Sequence, residues 1–405
     1  MKPHRLHTTD IPAKSERVIL AGVLVGNQSP DLFEIDMKEM AMLCATAGAN
    51  IVETVVQRRE SPIASTYIGS GKLAEISALM REHDCATLII DAELSPGQVR
   101  NIEKVVEGKV IDRAQLILDI FAKHAKTNEA QLQVELAQMK TLYPRLTHAW
   151  THFSQQVGGI GTKGPGEKQL EVDRRIVQKK ISDLRDRLKK VDKARATQQK
   201  SRGTSFKVTL VGYTNVGKSS LLNSLAGSDV LVENKLFATL DTATRRTFVQ
   251  GIGEIVISDT VGFLRKLPHH LVASFKGTLE VVSQADLLLI VMDASSPWAD
   301  LQLATVSEVL ADLSAQTVPR LLVFNKIDCV KDPFEMKRLS VKYPDALFVS
   351  AFSAADMRKV KEHIAGIIRT YKKEAAISDI IAKKTRELSH DTDEKDGESS
   401  RMPWE

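Results

Sequence analysis

The chain has 405 residues, 43% of them hydrophobic and 26% charged, with a formal net charge of +5. That length allows two or three domains with separate cores, and the composition is that of an ordinary globular chain, not a fibrous or disordered one. Three cysteines (Cys44, Cys85, Cys329) lack metal-type spacing, which argues against a disulfide framework and suits a reducing, cytoplasmic setting. No apolar run approaches the length of a membrane span, and the first eighteen residues lack the apolar centre of a secretory leader.

The first third alternates strand and helix signals. Apolar Arg17–Gly26 reads as a strand and Met37–Gly48 as a helix ended by glycine. Ile51–Arg59 reads as a strand and Gly71–His83 as a helix. Cys85–Ser95 reads as a strand, and the segment after Ser95 as a helix with Ser95 as cap and Pro96 in its first turn. Lys109–Ala125 closes the set. Such alternation predicts a parallel sheet covered by helices. The stretch YIGSGKL from Tyr67 lacks the full phosphate-loop pattern and reads as a helix start.

From Ala125 the pattern changes. Leu132, Leu136 and Met139 recur at helical spacing over Gln131–Leu142. After a glycine-rich stretch, Val177, Ile181, Leu184, Leu188 and Val191 step by four, three, four and three. These seams predict an antiparallel helical hairpin with a glycine loop, Gly158–Gly166, at its tip. From Glu171 to Arg202 there are twelve Lys or Arg against five Asp or Glu, a net +7 that exceeds the whole chain's charge. A solvated helix face is the bland reading. The lysines of the tip loop favour contact with RNA phosphates, through Lys163, Lys168, Arg174 and Arg175. No aromatic platform interleaves the bases, so sequence-specific single-strand readout is not expected.

The remaining chain carries five short segments in a fixed order. A buried strand, Phe206–Gly212, runs into Gly212-Tyr213-Thr214-Asn215-Val216-Gly217-Lys218-Ser219-Ser220 and then a helix. Glycines let the backbone N–H groups cradle phosphates, Lys218 reaches the β- and γ-phosphates, and the Ser219 hydroxyl holds Mg²⁺. Further on, Phe237-Ala238-Thr239-Leu240-Asp241 opens a stretch in which Thr239, Thr242 and Thr244 are candidates for a switch threonine that meets Mg²⁺ and the γ-phosphate. Asp259-Thr260-Val261-Gly262 ends another apolar strand. There Asp259 lies near the metal and the Gly262 N–H senses the γ-phosphate. Asn325-Lys326-Ile327-Asp328 ends a third strand, and the Asp328 carboxylate can accept two hydrogen bonds from guanine N1–H and the 2-amino group. Adenine lacks that donor pair. Ser350-Ala351-Phe352 follows a fourth strand and approaches the base.

Together these segments resemble the Ras-like translation-factor class of P-loop GTPases over Ser205 to Thr370, a doubly wound α/β fold with its ligand at the carboxyl ends of the strands. The resemblance places the switch threonine at Thr239. The stretch GIGTKGPGEKQLEVDRRIVQKKI, with LSPGQVRNIE, VIDRAQLILDIFAKHA, LQVELAQMKTLYPRL and FLRKLPHHLVASFKGTLE, is similar to the HflX family from about Val18 to Thr370. That resemblance implies a monomeric, cytoplasmic, Mg²⁺-dependent enzyme hydrolysing GTP to GDP and phosphate. Its catalytic residues are Lys218, Thr239 and Gly262. Its partner is the large ribosomal subunit and its RNA, and it splits stalled or idle ribosomes under stress. The expected divisions are an N-terminal α/β domain (1–125), a helical hairpin (126–203), a GTPase domain (204–372) and a charged tail (373–405).

This chain departs from the pattern in three places. Thr242 stands where the family often has proline, the tail is short, and Phe263 occupies the place where many GTPases carry a water-orienting glutamine. Asn215 resembles the asparagine that holds K⁺ in some relatives; the bland reading is that it only stabilises its own loop. An ATP-driven RNA remodeller and a non-enzymatic RNA-binding protein with structural GTP are the rival readings.

Overall fold

The computed structural model describes residues 16–26, 28–149, 165–200, 205–227, 236–237, 239–268, 271 and 276–373. Four parallel strands form the first sheet: β1 (Glu16–Val25), β2 (Ala49–Arg59), β3 (Thr87–Ile90) and β4 (Lys109–Asp112), in the order β2-β1-β3-β4. Strand residues alternate between two cores. Val18, Leu20, Ile89 and Ile111 pack with α1 (Pro30–Ala47) and α4 (Arg113–His124). Ile19, Leu88, Ile90 and Val110 pack with α2 (Ser70–Glu82) and α3 (Pro96–Val106). This two-sided burial explains why β1 and β3 read as continuous apolar runs.

Several boundaries differ from the sequence reading: the strand read over Cys85–Ser95 is Thr87–Ile90, the helix read over Gln131–Leu142 runs Asn128–Ala149, and the long charged helix begins at Pro165, inside the expected tip loop. Helix α1 starts at Pro30, seven residues before Met37, because Pro30 and Asp31 suit a first helical turn and Phe33 reaches the core. The Lys109–Ala125 segment divides into β4 and α4 at Asp112, whose carboxylate accepts the Gln115 N–H at 2.8 Å as an N-cap. The stretch at Tyr67 does lead into a helix, capped at Gly69.

The hairpin consists of α5 (Asn128–Ala149) and α6 (Pro165–Lys200). Its seam buries Leu132, Leu136 and Leu184, with Met139, Ile181, Leu188 and Val191 against them; Val177, also expected in the seam, is not part of this cluster. Lys180 and Glu135 pair across it at 2.7 Å.

The second sheet has the order β10-β9-β8-β5-β7-β6: β5 (Lys207–Gly212), β6 (Thr244–Val249), β7 (Gly253–Asp259), β8 (Leu287–Asp293), β9 (Arg320–Asn325) and β10 (Leu347–Phe348). Only β6, at one edge, is antiparallel to its neighbour. Helix α7 (Lys218–Ala226) and the helix over 354–373 cover one face. On the other lie α8 (Lys276–Ser283), α9 (Ala299–Asp312) and α10 (Pro333–Lys342). The core under α7 is continuous with the core under α1, α4 and the root of α5, so the N-terminal layers abut the second sheet. Among the described residues no helix is long and apolar enough to cross a membrane.

Candidate functional site

The carboxyl ends of β5, β7 and β9 open onto one cleft of about 360 Å³. The loop between β5 and α7 forms its floor. Gly212 has φ +156, and a Cβ there would stand 2.1 Å from the Val291 carbonyl oxygen; Gly217 has φ +91 and would meet Asn325 Nδ2 at 2.4 Å. Both positions therefore exclude side chains, which is the physical content of the glycine pattern. Lys218 Nζ is buried and donates to the Tyr213 carbonyl at 2.8 Å and the Gly212 carbonyl at 3.3 Å. Burial pushes its ammonium down to about 8, against the pull of Asp259. A buried ammonium held only by two neutral carbonyls and one nearby carboxylate gains from a bound phosphate.

Three oxygen groups meet at the start of α7. Ser219 Oγ donates to Asp259 Oδ2 at 2.5 Å and lies 2.9 Å from Thr239 Oγ1. Asp259 is fully buried, burial raises its carboxyl, and its Oδ1 has no hydrogen-bond partner. A buried carboxylate oxygen left over beside two hydroxyls is a hard-oxygen donor set that fits Mg²⁺.

Gly262 closes over this group. A Cβ there would lie 2.5 Å from Thr214 Cα and 2.8 Å from Lys218 Nζ. The Phe263 N–H donates to the Gly212 carbonyl at 3.0 Å, and the Thr214 N–H to the Phe263 carbonyl at 2.8 Å. The Phe263 ring points away into the core under α8–α10. Thr260 Oγ1 is tied to the Leu210 carbonyl at 2.8 Å.

At the other end, Asn325 locks two loops together. Its Nδ2 donates to the Val216 carbonyl and its Oδ1 accepts the Ala351 N–H, both at 2.9 Å. Lys326, with φ +62, reaches the Asn215 carbonyl at 2.7 Å and Asp293 at 2.8 Å. Asp328 is exposed at the mouth, and a hydrogen bond with Ser350 holds its carboxyl below the usual range. It is therefore ionised at neutral pH and ready to accept paired donors. Phe352 is 85% exposed at the same mouth.

Of the sequence-derived candidates, Thr214, Asn215, Gly217, Lys218, Ser219, Ser220, Phe237, Thr239, Thr260, Gly262, Asn325, Lys326, Asp328, Ala351 and Phe352 line the cleft. Gly212, Val216, Asp259 and Ser350 support it from behind, while Val261 and Ile327 pack toward the cores. Leu240 is buried beside Phe237 in the core shared with α4 and α5. Asp241 turns to the backbone of Lys126 and Thr127. Ala238 and Lys163 lie outside the described residues, as does the side chain of Lys168. Arg174 is exposed, 3.3 Å from the Tyr143 hydroxyl and over its ring, and Arg175 pairs with Glu171 at 3.1 Å.

Sequence reasoning missed two features. Cys329 lines the cleft, its thiol 3.4 Å from Asp328 Oδ2. Tyr213 does not face the cleft: its hydroxyl donates to Glu39 of α1 and accepts the Arg265 N–H at 2.9 Å. Around them Arg113 pairs with Glu39 and Asp91 at 2.7 Å each, and Asp36 binds Arg265 and Lys266 at 3.0 and 2.7 Å. The only local sign of this cluster is an aromatic residue inside a phosphate-type loop.

A six-stranded sheet with a glycine loop, a buried lysine, a hard-oxygen set and an ionised carboxylate at one cleft defines a P-loop GTPase. Family models agree along the chain: "GTP-binding GTPase N-terminal" matches residues 34–122, "GTP-binding GTPase Middle Region" 124–202, and "50S ribosome-binding GTPase" 207–326. GTPase HflX of Flavobacterium psychrophilum is 42% identical over 87% of this chain and 91% of its own, and GTPase HflX of Escherichia coli is 43% identical over 79% and 76%. The chain belongs to the HflX family of GTPases. A GTP-binding protein of Sulfolobus solfataricus, solved in complex with GDP, aligns at 24% identity over 88% of this chain and 99% of its own, with a TM-score of 0.44.

Proposed function

We propose that this GTPase acts on the large ribosomal subunit, promotes the splitting of stalled or idle ribosomes, and leaves when GTP is hydrolysed to GDP and phosphate. The nucleotide's phosphates lie on the Tyr213–Ser220 loop with Lys218 at the β- and γ-positions, and its guanine is read by Asp328 and flanked by Lys326 and Ala351–Phe352. Ser219 and Thr239 hold Mg²⁺, with Asp259 behind them. The ion supplies charge neutralisation for the phosphates. The single observation that best supports the nucleotide part of this reading is the clustering of Ser219, Thr239 and the unsatisfied Asp259 at one end of a cleft whose other end carries the ionised Asp328.

Phe263 cannot orient the attacking water, and its ring faces the core. The Gly262 N–H and Thr239 therefore act on the γ-phosphate end; where a K⁺ ion binds, Asn215 would hold it and the ion would supply additional charge. Hydrolysis by the isolated chain is slow on this reading and rises on the ribosome. The hairpin presents Lys163, Lys168, Arg174 and Arg175 to ribosomal RNA, and the N-terminal layers, hairpin and GTPase domain act as one cytoplasmic monomer. The test is GTP hydrolysis with and without large subunits across a salt series, for the parent chain and for Lys163→Glu/Lys168→Glu. Each phosphate contact steepens the fall of binding with salt. Charge reversal is expected to flatten that slope and reduce stimulation with basal hydrolysis intact. Equal stimulation of both chains at every salt concentration overturns the RNA-docking reading.

A further inference from the structure

The turn from α4 into α5 is where the N-terminal layers hand over to the hairpin. Its backbone is not satisfied by its own neighbours alone. Asp241 Oδ2 accepts the N–H groups of Lys126 and Thr127 at 2.9 and 3.1 Å, and its Oδ1 accepts the Thr127 hydroxyl at 2.5 Å. The Thr127 hydroxyl accepts the Ala130 N–H at 3.2 Å and the Thr127 carbonyl accepts the Gln131 N–H at 3.0 Å. A carboxylate more than a hundred residues downstream thus completes the N-terminal cap of α5, where negative charge is favoured.

Asp241 lies two residues beyond Thr239. On the other side of Thr239, the Phe237 N–H donates to Thr214 Oγ1 at 3.0 Å, and the Phe237 ring meets Phe121 of α4 edge-on with centroids 4.8 Å apart. Phe237 holds φ +55, an unfavourable backbone state for a bulky residue that its surroundings must enforce. Leu240 is buried in the same core as Phe121, Ala130 and Val134. Thr239 is therefore suspended between two anchors four residues apart. An extended chain gains at most about 3.3–3.6 Å per residue, so Thr239 can travel only a short way unless one anchor lets go.

We infer that Asp241 is a positioning residue for hydrolysis, through which the root of the helical arm sets the hydroxyl of Thr239 against Ser219. The inference rests on the proposed placing of Thr239 at the metal and γ-phosphate. Movement of α5 at its root pulls on Asp241 and, two residues away, on Thr239. Placement of the arm on a partner is in this way converted into placement of a hydroxyl in the cleft. Asp241 touches no reacting atom in this scheme.

The test is a double-mutant cycle on the full chain with Asp241→Ala and Thr127→Val, the second removing the arm's hydroxyl donor to Asp241 together with the acceptor for the Ala130 N–H. Single-turnover kcat, GDP affinity and the Mg²⁺ concentration for half-maximal rate are measured for each. Misplacing a reacting group by about 1 Å can cost roughly a hundredfold, so a partly released Thr239 is expected to lower kcat by about tenfold. GDP affinity should stay within about threefold, and the half-maximal Mg²⁺ concentration should rise. The two changes should be partly non-additive, because both remove the bond between the Thr127 hydroxyl and Asp241. Asp241→Glu, which keeps the charge, should recover part of the rate. A simple loss of folding would instead lower the active fraction and leave the Mg²⁺ midpoint of the surviving molecules at the parent's value, and that outcome overturns the inference. Thr239→Ala separates the two levels. If it turns over like the parent, the metal reading of Thr239 fails. If it is slow while Asp241→Ala and Thr127→Val match the parent, the positioning inference alone fails.

Discussion

Asp328→Asn is expected to weaken GTP and GDP equally while leaving the fold intact. The side chain stands at the exposed mouth of the cleft, so the substitution buries nothing and opens no cavity. Its carboxyl is held below the usual range by Ser350, so at neutral pH the lost group is a full negative charge. A hydrogen bond to a charged group contributes about 1.5–3 kcal/mol, and each 1.4 kcal/mol is tenfold, so the dissociation constant should rise by about 10- to 150-fold. The Asn amide presents one donor and one acceptor in place of two acceptors. Xanthine, with a carbonyl where guanine carries its 2-amino group, is complementary to that pair. XTP should therefore bind the variant better than GTP does. The assay is equilibrium titration of each nucleotide by calorimetry, with thermal melting as the fold control. A loss below about threefold for GTP, or equal GTP and ATP affinity in the parent chain, refutes the assignment of Asp328 to the base.

Three further expectations follow from packing and charge. Gly212→Ala drives a methyl onto the Val291 carbonyl, 2.1 Å away; overpacking and strain together should cost about 2–6 kcal/mol in a denaturant titration. Phe263→Ala empties a site only 2% exposed, so stability should fall by about 3–5 kcal/mol while GDP affinity measured below the unfolding transition changes little. At Asp300, burial raises the carboxyl, but hydrogen bonds from Tyr343, Lys342 and Arg338 outweigh it and pull the group down to about 2. A carboxyl with a folded-state pKa below its unfolded value near 3.8 stabilises the fold above that pH and loses this contribution as pH falls toward 2. The stability gap between the parent and Asp300→Asn should be constant above about pH 5 and close as pH falls from there toward 2, as followed by urea titration.

Much of this architecture was legible because its causes are local. The strand runs, the Ser95 cap, the leucine seam of the hairpin and the glycines at 212 and 217 each answer a constraint set within a few residues. Phosphate chemistry likewise demands Lys218 and Ser219 at a fixed offset from a turn. What was not legible depends on partners distant in sequence. Nothing around Tyr213 announces that its hydroxyl reaches Glu39, 174 residues earlier. The spacing of FATLD gives no hint that Asp241 caps a helix in another layer. Phe263 shows the converse: its position after Gly262 was visible, but the burial of its ring was not, because the direction of that side chain is set by the backbone ladder between Tyr213 and Phe263. Helix α1 begins at Pro30, a first-turn residue, upstream of Met37, where its apolar pattern becomes regular.

In the proposed function the nucleotide state of this cleft governs attachment to the large ribosomal subunit. Co-sedimentation of the full chain with purified large subunits, at one fixed salt concentration, tests it most directly. The chain should pellet with subunits in a non-hydrolysable GTP analogue and stay in the supernatant in GDP, with the Thr239→Ala chain losing the difference. Equal pelleting in both nucleotides, or none in either, would contradict the claim.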